Sequence, residues 1–150
     1  MTQIRKLRVA AYAVVVDEGR ILLSRWLGPD RPMWILPGGG LEHGEDPYDA
    51  VVREVFEETG YHAAVDALLG IQTVHGPLDR DGEEWDYHRI RVLYEAHVVG
   101  GELTFEVDGS TDQAAWFALD EIPEEHVESV DYALELWRKR PADGRAPSFT

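Results

Sequence analysis

Residues 37–61 read PGGGLEHGEDPYDAVVREVFEETGY, and the character of the whole chain is decided there. Three contiguous glycines, Gly38 to Gly40, lead into Glu42, Glu45, Asp46 and Asp49, and then into Glu54, Glu57 and Glu58. So much negative charge beside so much backbone freedom calls for a cationic partner, and it points to a divalent-metal site built to hold a diphosphate. The second half of the stretch predicts a helix over Pro47–Thr59. Asp46 suits the N-cap, Pro47 the first helical position, and Gly60 the left-handed residue just past the end. At about 100° per residue, Val51, Val52, Val55, Phe56 and Thr59 fall on one half of the cylinder, with Arg53, Glu54, Glu57 and Glu58 on the other. Carboxylates three and four residues apart repel one another, so an isolated helix would carry them as a solvated face offset by Arg53. The adjoining glycine loop, with Glu42 and Glu45 in it, favours a metal instead.

Glycine loops that cradle phosphates by themselves have other signatures. A P-loop needs Lys and then Ser or Thr after its last glycine, whereas Leu41, Glu42 and His43 follow here. The dinucleotide fingerprint is excluded by the contiguity of the glycines. A carboxylate cluster remains, and hard oxygen ligands select magnesium, manganese or calcium.

From Gly39 to Tyr61 the spacing is G-x5-E-x7-R-E-U-x-E-E-x-G-U, where U is a bulky apolar residue. This resembles the box of the Nudix (MutT-like) hydrolases, matched by Gly39, Glu45, Arg53, Glu54, Val55, Glu57, Glu58 and Gly60. Only Tyr61 departs, standing where an aliphatic residue is usual, at a position that packs. The resemblance implies an α/β/α sandwich around a central mixed β-sheet, with a catalytic loop-helix and a C-terminal helix. It also implies Mg2+-dependent hydrolysis, with Mn2+ as a substitute, of a nucleoside diphosphate linked to another group. By that resemblance Glu57 and Glu58 are the main metal ligands, Glu54 stands beside them, and the Gly38 carbonyl is a further ligand. Arg53 orients the carboxylates, and Glu45 either touches a metal-bound water or fixes the loop. The general base is either Glu54 or an acidic residue on a distant loop, with Glu106, Asp108 and Asp112 as the candidates. Arg25, Gly39, Gly40 and Glu45 are candidates for touching the substrate. A catalytically silent nucleotide-binding or regulatory domain is the alternative, although such relatives typically lose a box carboxylate and none is missing here.

The chain is one domain's worth at 150 residues, with the domain expected over residues 1–140 and a loose tail over 141–150. Its 14 basic and 29 acidic residues give a net charge of −15. That field disfavours polymeric nucleic acid, which is bound through Lys and Arg, but it admits a small anion where metal inverts the local charge. With no cysteine there is no disulfide framework. The apolar run Val9–Val16 ends in Asp-Glu-Gly and reads as a buried strand, too short to span a membrane. A cytoplasmic protein without membrane partners is expected, and a homodimer is compatible with the sequence.

Around the box, Leu7–Val16 and Arg20–Trp26 predict a hairpin, and Met33–Leu36 a short apolar piece. Ala64–Val74 and His88–Val99 read as strands separated by a charged loop, His75–Asp86. Gly100-Gly101 predicts a turn into a partner strand over Glu102–Phe105, Ala114–Leu119 a further strand, and Pro123–Arg140 a terminal amphipathic helix. Pro77 lies 16 positions past Tyr61 (77 − 61), as in some ADP-ribose-hydrolysing members of the family. Nucleoside triphosphates remain an equal alternative, because a fold does not fix a substrate.

Overall fold

The computed structural model describes residues 4–149 and shows two four-stranded sheets with a helix packed on either side. The first sheet runs β5 (Gly38–Gly40), β1 (Ile4–Val14), β7 (Glu83–Gly101), β6 (Tyr61–Arg80). It is mixed, because β1 is parallel to β7 while its other pairings are antiparallel. In the second sheet β3 (Arg20–Trp26) pairs antiparallel with β2 (Val16–Asp17), β4 (Met33–Ile35) and β8 (Thr111–Ala118).

The two-residue alternation of β1 sorts its side chains between two cores. Ala11 and Ala13 point toward α1 (Pro47–Thr59), where Val51 and Val55 are fully buried against them and Leu22. Ala10, Tyr12 and Val14 point the other way, toward Leu93 and the apolar side of α2 (Glu128–Lys139), which supplies Val130, Ala133 and Leu136. Each fully buried aliphatic side chain of this kind contributes roughly 1.5–3 kcal/mol. This is the α/β/α arrangement expected from the sequence.

Several expectations need correction. The hairpin between the first two apolar runs is only two residue pairs deep, since β1 belongs to the first sheet and only Val16–Asp17, after the crossing, pair with β3. The charged stretch His75–Asp86 is no loop. It continues β6 and β7 as a paired ribbon, with Pro77 opposite Asp86, out to a turn at Asp81-Gly82 where both φ values are positive. Glu102–Phe105 forms no strand; instead Thr104 N–H donates to the Thr59 carbonyl at 2.8 Å, crossing the end of α1. The terminal helix begins at Glu128 rather than Pro123. The residues before it bridge to Trp34, whose N–H donates to Glu125 and whose carbonyl accepts from Val127.

Residues 141–149, expected as a loose tail, fold back on the first sheet, while Thr150 lies outside the described residues. Ala146 is fully buried, and the Gly144 carbonyl accepts from Ile71 N–H at 3.1 Å. Among the described residues no helix is long and apolar enough to cross a membrane.

Candidate active site

The glycine triplet is not the loop its composition suggests but the edge strand β5, paired antiparallel with Ala10–Tyr12. Each glycine makes room for a different neighbour. Gly38 has φ 152°, and a side chain there would run into the Ala11 carbonyl at 2.2 Å. A side-chain carbon at Gly39 would lie 2.7 Å from the Glu54 carboxylate, and one at Gly40 would touch the Arg8 guanidinium at 3.4 Å. The strand is bare so that carboxylates and a guanidinium can close on its backbone.

Helix α1 begins and ends where its caps place it. Asp46 accepts from Tyr48 N–H at 2.8 Å, and Gly60 at φ 78° closes the last turn by donating to Phe56. Phe56, expected inside, is half exposed and stacks on the His62 ring at 4.6 Å. Glu58, expected on the open side, is 3% exposed, because the last turn of the helix tucks against β5. Its Oε1 accepts from Gly38 N–H at 3.1 Å. Tyr61 has its own reason for replacing an aliphatic residue: its hydroxyl accepts from Trp116 Nε1 at 3.1 Å, which ties the box to β8.

Arg53 is the hub. Its Nε and Nη2 donate to the two oxygens of Glu45, both at 2.9 Å, and Nη2 also donates to the Gly40 carbonyl at 3.2 Å. Its Nη1 donates to Glu54 at 3.0 Å and to Glu57 at 3.2 Å. One planar fork thus joins loop, edge strand and helix, a geometry that an ammonium group does not reproduce. The Arg53 contact holds the Glu45 carboxyl at about 2, far below its ordinary range. A depressed carboxylate stabilises the fold above its unfolded value of about 4.3 and loses that contribution as pH falls through the folded value. Glu45→Gln is therefore expected to flatten the acid limb of a stability–pH curve between about pH 4.3 and pH 2. An unchanged acid limb would show that the fork does not depend on the Glu45 charge.

Glu54 and Glu58 are shifted the opposite way. Burial pushes the Glu58 carboxyl well above its usual value, with the charges of Glu54, Glu106 and Glu57 adding to it. Burial raises Glu54 too, against the pull of Arg53. Of the three distal candidates, Glu106 is the one whose charge reaches both Glu54 and Glu58. It also accepts from Thr111 Oγ1 at 3.2 Å. Asp112 is engaged elsewhere, in a two-pronged ion pair with Arg25 at 2.6 and 2.9 Å that occupies the arginine as well. Asp108 sits in a left-handed turn at φ 60°. The sequence offers Glu106, Asp108 and Asp112 alike; the course of the chain after β7 is what brings Glu106 to the box.

Among the described residues no three acidic or histidine side chains already form a closed metal cage. The donor set still fits magnesium or manganese, which commonly take one or two carboxylates and complete their shell with water and substrate phosphate. Among the described residues Glu58 has one backbone N–H for a partner and no counter-cation, a buried state that a bound divalent ion relieves. Gly39→Ala tests the fit of the strand. It is expected to displace Glu54 and to lower turnover by about 10²-fold, the scale that an ångström of misplacement costs, with little change in melting temperature. Wild-type turnover in that variant would remove Glu54 from the reaction.

Comparison with known proteins agrees with this geometry. The NUDIX domain family matches residues 6–137. An ADP-ribose pyrophosphatase from Methanocaldococcus jannaschii is 37% identical over 116 residues, which are 77% of this chain and 64% of that protein. A putative 8-oxo-dGTP diphosphatase from Bacillus subtilis is 34% identical over 96 residues, 63% of this chain and 52% of that one. The chain thus spans between half and two-thirds of the length of these relatives. A NUDIX hydrolase structure from Nitrosomonas europaea superposes with a TM-score of 0.73 at 27% identity, covering 95% of this chain and 93% of the other. A family match that spans most of the chain settles its membership: the chain belongs to the NUDIX family.

Proposed function

We propose that the protein is a Mg2+-dependent hydrolase that cleaves the diphosphate linkage of a small nucleoside diphosphate derivative. The observation that carries this reading is the buried, uncompensated Glu58 beside Glu54 and Glu57, held against a side-chain-free strand by Arg53. The named relatives act in the same direction, one on ADP-ribose and one, by its name, on 8-oxo-dGTP. Glu57, Glu58 and the Gly38 carbonyl would hold the ion, with Glu54 beside them. When bound, the metal would neutralise the diphosphate and acidify a water for attack on phosphorus.

The chain's own groups do the rest. Gly39 and Gly40 let the diphosphate approach the backbone without a side chain in the way. Arg53 fixes one oxygen of Glu54, leaving the other to accept the proton of the attacking water as the P–O bond breaks and the second phosphate leaves. The charge of Glu106 reaches Glu54 and Glu58 and joins it to their group. The test is a panel of nucleoside triphosphates, ADP-ribose, nucleotide sugars and dinucleoside polyphosphates, with and without Mg2+, read by product identification. Metal-dependent release of a nucleoside monophosphate is the expected result. Tight binding with no cleavage of any compound would make the chain a silent nucleotide-binding domain.

A further inference from the structure

A protein with a net charge of −15 places four of its cations on one patch of one sheet face. The register sets the face: Lys6 lies beside Tyr87, Arg8 beside Arg89, and Ala10 beside Arg91 across the parallel β1–β7 pair. On the far side of β7, Gln72 stands opposite Arg91 and Val74 opposite Arg89. Helix α2 covers this face from Tyr12 and Leu93 onward, but the half bearing the arginines lies beyond that cluster.

The arginines there have poor company. Arg8 makes one long hydrogen bond, 3.5 Å, to the Tyr12 hydroxyl. Arg91 donates to Gln72 at 3.3 Å and lies over the Tyr12 ring, and Arg89 lies over the Tyr87 ring. The Nε atoms of Arg89 and Arg91 are buried with no hydrogen-bond partner. An unsatisfied buried donor is costly, more so on a charged group. Burial together with the charges of Arg89 and Arg8 pulls the Arg91 guanidinium below its ordinary value, which is what mutual repulsion without a counter-ion produces. No ion pair joins these three arginines to a carboxylate among the described residues, although the chain carries 29 acidic residues. A cation cluster in such an acidic protein, left without carboxylates, fits an anion supplied from outside.

Its position says which anion. Arg8 stands against Gly40 and feels the charge of Glu54, so the patch adjoins the carboxylate site across the glycine strand. Arg89 and Arg91 stand on β7, two strands and about 10 Å from β5. A ligand that reaches round this edge strand would set one phosphate at the carboxylates and another at the β7 arginines.

We propose that Arg8, Arg89 and Arg91 form a subsite for a phosphate group of the substrate that lies outside the cleaved diphosphate. The proposal rests on the hydrolase reading above and narrows it. Substrates whose only phosphates are the two of the diphosphate, such as unmodified ADP-ribose, leave this subsite empty. The extra phosphate comes either from a triphosphate chain or from a phosphate ester on a sugar, and both present the same dianionic oxygens to the guanidinium forks.

Two substrate pairs separate the sources: a nucleoside triphosphate against its diphosphate, and ADP-ribose with and without a 2′-phosphate. The phosphate-rich member of one pair is expected to have a kcat/KM at least about tenfold higher, the scale of one charge-assisted contact. In the double variant R89Q/R91Q that advantage is expected to vanish through KM. Equal kcat/KM within both pairs, or an advantage that survives R89Q/R91Q, would overturn the proposal. A binding experiment keeps the subsite testable if no compound is turned over. Inorganic tripolyphosphate titrated into the metal-free protein in chelator should bind the wild type at low salt, bind R91K more weakly, and bind R89Q/R91Q at least about tenfold more weakly still. Equal binding to all three proteins, with their melting temperatures matched, would show that the arginines hold no phosphate.

Discussion

Glu58→Gln is expected to lower turnover by two or more orders of magnitude while making the metal-free protein more stable. The two effects have one origin. Glu58 is 3% exposed, accepts a single backbone N–H and faces the like charges of Glu54 and Glu106. Gln keeps the shape and an oxygen to accept from Gly38, but it removes the charge that a metal needs, and metal-borne stabilisation contributes several kcal/mol to the barrier. Without metal that same charge is a burden. Relief of about 1 kcal/mol would raise the melting temperature of a chain this size by roughly 2–4 °C. The sign with pH is fixed as well. A carboxyl whose folded value lies above its unfolded one makes the fold less stable as pH rises past the unfolded value. The advantage of Gln therefore appears at neutral pH and disappears near pH 4. Melting curves across pH, with and without Mg2+, check both arms. Near-normal turnover in the variant would place the metal elsewhere.

Arg53→Lys is expected to be nearly as damaging, although charge is conserved. Lysine can satisfy one or two of the acceptors that the guanidinium reaches at Glu45, Gly40, Glu54 and Glu57. The unanchored Glu54 would then swing toward the space beside Gly39, and turnover should fall by about 10²-fold. Melting temperature should fall by several degrees, since the loop carrying Glu45 is no longer tied to the helix. Added Mg2+ should recover part of the stability, because the carboxylates released from Arg53 then find a second cation. A variant with full activity would mean that the hub holds the loop and leaves the reacting groups alone.

How much of this could be read from residues alone depended on what carried the signal. The helix Pro47–Thr59 was legible to the residue because Asp46, Pro47 and Gly60 each act locally, through their own backbone preferences. The edge strand was not, since three glycines have no side-chain alternation to display and their pairing with β1 is long-range. The ribbon beyond His75 was also missed. Both its faces are largely solvent-exposed, so its residues need not alternate, yet Asp81-Gly82 is the dipeptide that tight hairpin turns favour. The half-cylinder reading holds for Val51, Val55 and Thr59, but the burial of Glu58 and the exposure of Phe56 depart from it, because helical phase says which residues share a side but not how far the neighbouring strand reaches along it. The choice of Glu106 over Asp108 and Asp112, and the arginine face, were out of reach for the same reason: both depend on how distant segments are brought together.

The strand Gly38–Gly40 is a partition one peptide thick. The helix sets its carboxylates against one surface, and Arg8 sets its guanidinium against the other. Such a wall lets bond-breaking and ligand selection be inherited separately. If the arginine subsite holds as proposed, changes at positions 8, 89 and 91 retune which molecule is held while the carboxylate helix stays untouched. Gly38 and Gly39, where a side chain finds no room, are the points at which a single change would disturb the wall itself.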